Sequence, residues 1–60
     1  MKVKEIYIGQ EVARAGTPKI RLGTVVGIMK KMVDIKLGTG EHVAVYGAKV
    51  LVKYVESRNG

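Results

Sequence analysis

The chain has 60 residues, and its eleven Lys and Arg against five Asp and Glu give a net charge of +6 and a pI near 9.9. So short a chain forms one domain, because it buries only about 60% of the surface that its unfolded state exposes. The absence of cysteine and the presence of a single histidine, His42, exclude disulfides, thiolate metal sites and histidine-rich metal sites. We therefore expect no metal and no cofactor.

The distribution of apolar residues indicates whether the protein enters a membrane or is secreted. No apolar run approaches the roughly 20 residues that a membrane-spanning helix needs. Residues 1–11 carry four charges and lack the apolar centre of a secretory signal. We predict a soluble, cytoplasmic protein with no membrane partner.

The abundance of β-branched residues predicts the fold class. Ten Val and five Ile make up a quarter of the chain, and glycines divide it into short segments. Such a rhythm is typical of all-β domains. We predict a small SH3-like barrel of five to six short antiparallel strands over residues 1–56, closed so that no strand edge is exposed, and a flexible C-terminal tail at 57–60. An OB-fold is the second choice.

The first half of the chain is predicted to alternate between strands and a loop. Residues 2–9 form an entry strand or arm, and residues 10–15 form a strand with Val12 inward. Gly16 and Pro18 predict a loop over 16–23, since glycine and proline mark turns. Residues 24–30 then form a strand.

The second half contains the cleanest alternation. Residues 32–37 form a strand with Val33, Ile35 and Leu37 inward, and 38–41 form a hairpin turn.

The next strand, residues 42–46, is predicted to place Val43 and Val45 inward and Tyr46 outward. Residues 47–50 suit a 3₁₀ turn, and residues 51–56 complete the sheet.

Two glycines in the stretch "RLGTVVGIMKK", Gly23 and Gly27, could belong to a phosphate-binding loop or to the sheet. A P-loop needs a Gly-Lys-Ser/Thr end that opens a helix, and this end is missing. A dinucleotide fingerprint and a membrane dimer motif also lack their context. We predict structural roles for both glycines, as sites of a bulge or of sharp strand coiling.

The run from 8 to 37, "IGQEVARAGTPKIRLGTVVGIMKKMVDIKL", resembles the KOW motif. The matching positions are Gly9, Val12, Gly23, Val25 and Ile28, with Val33 and Ile35 in the returning strand. KOW domains occur in ribosomal proteins and in transcription factors of the NusG type. The resemblance implies an SH3-like barrel that contacts RNA, DNA or RNA polymerase.

Residues 43–54 resemble a segment of type II dihydrofolate reductases, which are also SH3-like barrels. Val43, Val45 and Tyr46 match that segment. Ala44 stands where the glutamine that contacts substrate and cofactor belongs, so the resemblance implies the fold and not the activity.

The candidate binding residues are basic side chains near predicted loops and turns, with one aromatic. Arginine and lysine in such positions can reach phosphates, and an outward tyrosine can stack on an unpaired base. A solvated basic face that keeps a small protein soluble is the structural alternative. The predicted nucleic-acid-binding residues are Arg14, Lys19, Arg21, Lys30, Lys31, Lys36 and Tyr46.

An apolar patch offers a different interpretation. Met29, Met32 and Leu51 could form an outward surface for a protein partner or a dimer, or they could be core on a strand placed in the wrong register. The alternative function is therefore a small interaction module or regulator that docks on a polymerase, a ribosome or a nuclease.

Catalysis has little support in the sequence. The five carboxylates are dispersed, and the single serine, Ser57, lies in the predicted tail. No nucleophile, base and orienting group can be assembled. We predict a non-catalytic protein that binds DNA or RNA through phosphates with low sequence specificity, in transcription or translation, as a monomer or a homodimer.

Overall fold

The computed structural model describes residues 1–38 and 40–56, where it shows an all-β domain. Five antiparallel strands form one sheet in the order β4-β3-β2-β1-β5. The strands are β1 (Glu11–Arg14), β2 (Thr17–Met29), β3 (Met32–Leu37), β4 (Val43–Gly47) and β5 (Leu51–Lys53). Two single 3₁₀ turns, η1 (Val3–Glu5) and η2 (Ala48–Val50), complete the described part. The predicted tail at 57–60 lies outside the described residues.

The all-β class with antiparallel strands is confirmed, but the sheet is not closed into a barrel. The ladder runs from β4 at one edge to β5 at the other. The predicted 3₁₀ turn is present as η2, which connects these two edge strands in the chain. From η2 the chain passes to the far side of the sheet, where β5 pairs with β1. The sheet therefore has two edge strands, β4 and β5, whereas a closed barrel would have had none.

The predicted loop at 16–23 is wrong, because most of it belongs to the 13-residue strand β2. The turn before β2 is only two residues long, and Gly16 takes a φ of +94° there. Arg14 lies opposite Thr17, whereas Ala13 lies opposite Arg21, so residues 18–20 bulge out of the pairing with β1. Such a bulge accommodates proline without the loss of a ladder hydrogen bond, which is why the proline signal misled the sequence interpretation.

The predicted N-terminal strand or arm at 2–9 is also wrong. The segment forms η1, where the Glu5 carboxylate accepts a hydrogen bond from the Lys2 backbone N–H at 3.0 Å. The next residue, Ile6, is buried in the core. A 3₁₀ turn with a local hydrogen bond between side chain and backbone therefore forms here in place of a strand.

Both glycines of the "RLGTVVGIMKK" stretch are structural, as predicted. A Cβ on Gly23 would collide with the backbone carbonyl of Lys36 and lie 2.8 Å from Ile35 Cγ2. At Gly27, a Cβ would lie 2.7 Å from the Asp34 Oδ2 atom, and the β2–β3 register shifts between Val25 and Gly27. The close pairing of β2 with β3 thus requires a glycine at position 23. Gly27 lies at a bulge in the same pair of strands.

The predicted orientation of β4 is inverted. Val43 and Val45 are 54% and 58% exposed, whereas Tyr46 packs against the core. The cause is the register with β3: Tyr46 lies opposite the buried Val33, so it shares the inward face. Alternation alone fits both orientations of a strand, and the pairing decides between them.

The core is small and aliphatic. It comprises Ile6, Val12, Val25, Val33, Ile35, Ala48 and Leu51. Leu51 is fully buried, so of the two places considered for it, an outward apolar patch and the core, the core is the correct one. Strand β3 carries two of the largest buried side chains, as its alternation predicts.

Candidate nucleic-acid interface

A groove of about 820 Å³ lies where η1, the β2–β3 turn and η2 meet. Its walls are almost entirely apolar, because the lysines line them with their aliphatic stems beside apolar side chains. No carboxylate is found among its lining residues in the described part of the chain. We call it the lysine groove. Its lysines are Lys2, Lys4, Lys30, Lys31 and Lys49, and its apolar side chains are Met1, Val3, Met32, Ala48 and Val50.

The β2–β3 turn contributes two adjacent lysines. Met29 pairs with Met32 across the strands, so the turn consists of Lys30 and Lys31 alone. Lys30 takes a φ of +54°, a conformation that costs a non-glycine residue about 1–2 kcal/mol. A tight turn of this kind projects both side chains from the end of the sheet, so their ammonium groups reach solvent.

The backbone holds η2 against this turn. The Ala48 N–H donates to the Lys31 carbonyl at 2.9 Å. This bond extends the β3–β4 ladder into η2 and brings Lys49 to the same groove.

The N-terminal segment completes the groove from the other side. The Met1 nitrogen donates to the carbonyls of Ala48 at 3.1 Å and of Leu51 at 2.8 Å. The turn η1 follows directly and carries Lys4, with Lys2 just before it. Segments at opposite ends of the sequence therefore contribute to one cationic surface.

The electrostatics of the groove differ from those of the remaining surface. Within residues 1–38 and 40–56 the only ion pair joins Arg21 Nε and Glu11 Oε1, at 3.4 Å, and it lies outside the groove. None of the groove lysines forms an ion pair in the part of the chain that the structure describes, although the Glu5 carboxylate accepts a hydrogen bond from the Lys2 backbone N–H. The five lysines are exposed around apolar walls, and like charges around one concavity add their potentials, so the surface around the groove attracts a polyanion.

The seven predicted binding residues fall into separate places. Lys30 and Lys31 line the lysine groove. Arg14 and Lys19 are exposed on β1 and on the β2 bulge, and neither lines the groove. Arg21 is bound to Glu11, as described above, and its guanidinium donates to the Thr24 hydroxyl at 2.9 Å.

The remaining two predicted residues lie on opposite faces of the sheet. Lys36 is exposed on β3, opposite Thr24 and Val43. The predicted outward position of Tyr46 is wrong, as its ring is half-buried against the core. It therefore does not offer the open face that base stacking requires.

Sequence reasoning missed Lys2, Lys4 and Lys49 as members of one site. Their spacing in the chain carried no signal, because Lys2 and Lys4 lie at η1 and Lys49 lies in η2, and only the tertiary structure brings these turns together. Met29 and Met32 are 74% and 45% exposed, and Met32 lines the groove. Their predicted role in binding a protein partner stays a prediction.

A second depression, of about 570 Å³, has a mixed character. Glu5 and Glu11 line it together with Tyr7, Lys53 and Tyr54. Beside them the buried Gln10 accepts a hydrogen bond from the Tyr7 backbone N–H at 3.2 Å. Opposite charges offset each other here, so this depression lacks the single-sign field of the lysine groove.

The described residues contain neither a membrane-spanning helix nor a metal-binding cluster. No helix in the described ranges is long and apolar enough to cross a bilayer. No group of three or more His, Asp or Glu side chains that could hold a metal ion was found among the residues described. Comparison with known proteins found no matching family model, and no curated protein or solved structure matched the chain.

Proposed function

We propose that this chain is a non-catalytic nucleic-acid-binding protein whose lysine groove contacts phosphates. The observation that supports the proposal is the convergence of five lysines on one groove whose described lining holds no carboxylate. Phosphate contacts supply nearly all of non-specific binding to nucleic acid. A single-sign cluster on a body with a net charge of +6 is suited to that role.

The groove chemistry favours low sequence specificity. Sequence readout uses arginine, asparagine or glutamine to form paired hydrogen bonds with base edges. The groove contains lysines, whose ammonium groups act as point charges, and aliphatic side chains. Such a surface would hold the backbone of a nucleic acid and would discriminate weakly among bases.

The cellular process in which the protein would act is inferred from the sequence alone. The resemblance of residues 8–37 to the KOW motif implies RNA, DNA or RNA polymerase as a partner, and it stays a prediction. We accordingly propose a cytoplasmic role in transcription or translation.

A salt titration tests the proposal directly. Fluorescence anisotropy would follow the binding of labelled duplex DNA, single-stranded DNA and single-stranded RNA at several salt concentrations. If all five groove lysines contact phosphates, log K should fall against log salt with a slope of about −4.5 on duplex DNA. Affinity that is weaker than micromolar and unaffected by salt on all three probes would overturn the proposal.

A protein-interaction module is the second candidate function. It is supported by the exposed Met29 and Met32, which adjoin the lysine turn. A pull-down from nuclease-treated lysate separates the two candidates. A polymerase, ribosome or nuclease subunit retained after that treatment, and lost with Met29→Ser, favours docking.

A further inference from the structure

Strand β4 is an edge strand without the usual protection. Its five residues, Val43–Gly47, include no charge and no proline, the features by which natural edges avoid association. The other edge, β5, has three residues and carries Lys53. Its Leu51 carbonyl also accepts a hydrogen bond from the Met1 nitrogen. Of the two edges, β4 is therefore the one open to another strand.

The hydrogen bonds around β4 show which backbone groups are free. Leu37 N–H donates to the His42 carbonyl at 2.9 Å, and Ala48 N–H donates to the Lys31 carbonyl at 2.9 Å. Because antiparallel pairs alternate, these two bonds place the backbone groups of Ala44 and Tyr46 toward β3. The N–H and C=O groups of Val43, Val45 and Gly47 point away from the sheet.

We propose that β4 pairs antiparallel with β4 of a second copy of this chain, about a two-fold axis through Val45. In this register Val45 exchanges both hydrogen bonds with Val45 of the second copy, and Val43 exchanges both with Gly47. Every outward-pointing backbone group of the strand is then paired. The two sheets continue into one sheet of ten strands, counted as twice the five of a single copy.

The charges that flank β4 suit antiparallel self-pairing. Such pairing brings the segment before β4, which carries Glu41, close to the η2 turn of the other copy, which carries Lys49. Opposite charges therefore meet at both ends of the paired strands, which favours association of two copies in this direction. The proposal does not depend on nucleic-acid binding, and its test measures the oligomeric state alone.

Sedimentation equilibrium of the full chain tests the association, at about 0.15 M salt, where charges are screened beyond about 8 Å. We expect a reversible dimer whose fraction rises with chain concentration. A chain that stays monomeric up to about 1 mM, the weak end of measurable affinity, overturns the proposal.

A matched pair of lysine substitutions locates the interface. Val45→Lys puts two like charges opposite each other at the axis, and we expect the dissociation constant to rise about tenfold or more. Val26→Lys adds the same charge on β2, which is paired on both sides, and should leave the constant unchanged. Both side chains are exposed, so both variants should fold. Equal effects of the two substitutions overturn the proposal.

Charge reversal tests the antiparallel direction of the pairing. Glu41→Lys and Lys49→Glu should each weaken dimerisation about fivefold, and their combination in one chain should restore it. Net charge alone predicts a different result, since Lys49→Glu would then strengthen the association of two positive chains. Failure of the double variant to rescue overturns the antiparallel pairing of the two β4 strands.

Amide hydrogen exchange gives a readout at single residues. The N–H groups of Val43, Val45 and Gly47 should become protected as the chain concentration rises, whereas Ala44 and Tyr46 should be protected at every concentration. Concentration-dependent dimers without added protection at Val45 would show that another surface is used, and the proposal fails.

Discussion

Two basic regions of this molecule look alike in sequence and differ in structure. The lysine groove gathers cations from η1, the β2–β3 turn and η2, with no acidic side chain in its described lining. The region around β1 and the β2 bulge carries Arg14, Lys19 and Arg21, of which Arg21 is bound to Glu11 and Thr24. The difference teaches that a charge contributes to a binding field according to its neighbours in space, since a nearby carboxylate offsets it.

The largest expected effect concerns β2, the strand that carries Lys19 and Arg21 and leads into the lysine turn. Gly23→Ala should destabilise the fold by about 3 kcal/mol or more, because the new methyl group would strike a backbone carbonyl of β3 that cannot rotate away. Urea unfolding followed by circular dichroism measures the change.

Gly27→Ala is the matched control for that substitution. Its methyl group meets the Asp34 carboxylate, a side-chain atom that can move, so we expect a cost of about 1 kcal/mol or less. Equal costs at the two positions would contradict the assigned role of Gly23.

The next largest effect is expected from double substitutions that compare the two basic regions directly. Lys30→Glu combined with Lys31→Glu should lower nucleic-acid affinity about 100-fold, because two phosphate contacts are lost and replaced by repulsion. The matched double variant of Arg14→Glu and Lys19→Glu makes the same change of net charge outside the groove. We expect it to lower affinity about fivefold or less, through the long-range field alone. Anisotropy titrations at one salt concentration compare them, and equal losses would remove the distinction between the regions.

Substitution of a single groove lysine should have a smaller effect on affinity, and the salt dependence of binding reports it specifically. Lys49→Ala should weaken binding about fivefold and reduce the salt slope by about 0.9, the value for one phosphate contact on duplex DNA. Lys53→Ala removes a lysine on β5 outside the groove, and its salt slope should match that of the unaltered chain. A slope unchanged by Lys49→Ala would show that this side chain makes no phosphate contact.

The smallest expected effect is at the paired arginine. Glu11→Gln frees Arg21, and both partners are substantially exposed, so the free energy of unfolding should fall by about 0.5 kcal/mol or less. Affinity for nucleic acid should rise slightly, because one more cation is released. A decrease in affinity would show that Glu11 supports the binding surface in another way.

Much of the fold could be predicted because the relevant signals are local. The Val and Ile content indicated an all-β domain, and the alternation in residues 32–37 located β3 with its inward residues. The two-glycine stretch was correctly assigned to the sheet, since its sequence context excluded a phosphate loop.

The candidate site could be predicted only in part. The adjacent Lys30 and Lys31 mark a turn, and both line the groove. The other groove lysines lie near the two ends of the described chain, and no local pattern indicates that those ends meet. The predicted stacking role of Tyr46 failed because it depended on the side of β4 that faces the core.

By itself, the sequence determined the strand-rich composition, the positive charge and the position of the lysine turn. These properties reside in residue type and short-range order. Tertiary structure decided which face of β4 is buried, how far β2 extends, and which lysines share a groove. Strand register and the docking of 3₁₀ turns are long-range pairings, and an alternating pattern satisfies more than one of them. The open edge of β4 is likewise a property of the assembled sheet, because an edge exists only once the other strands have been paired.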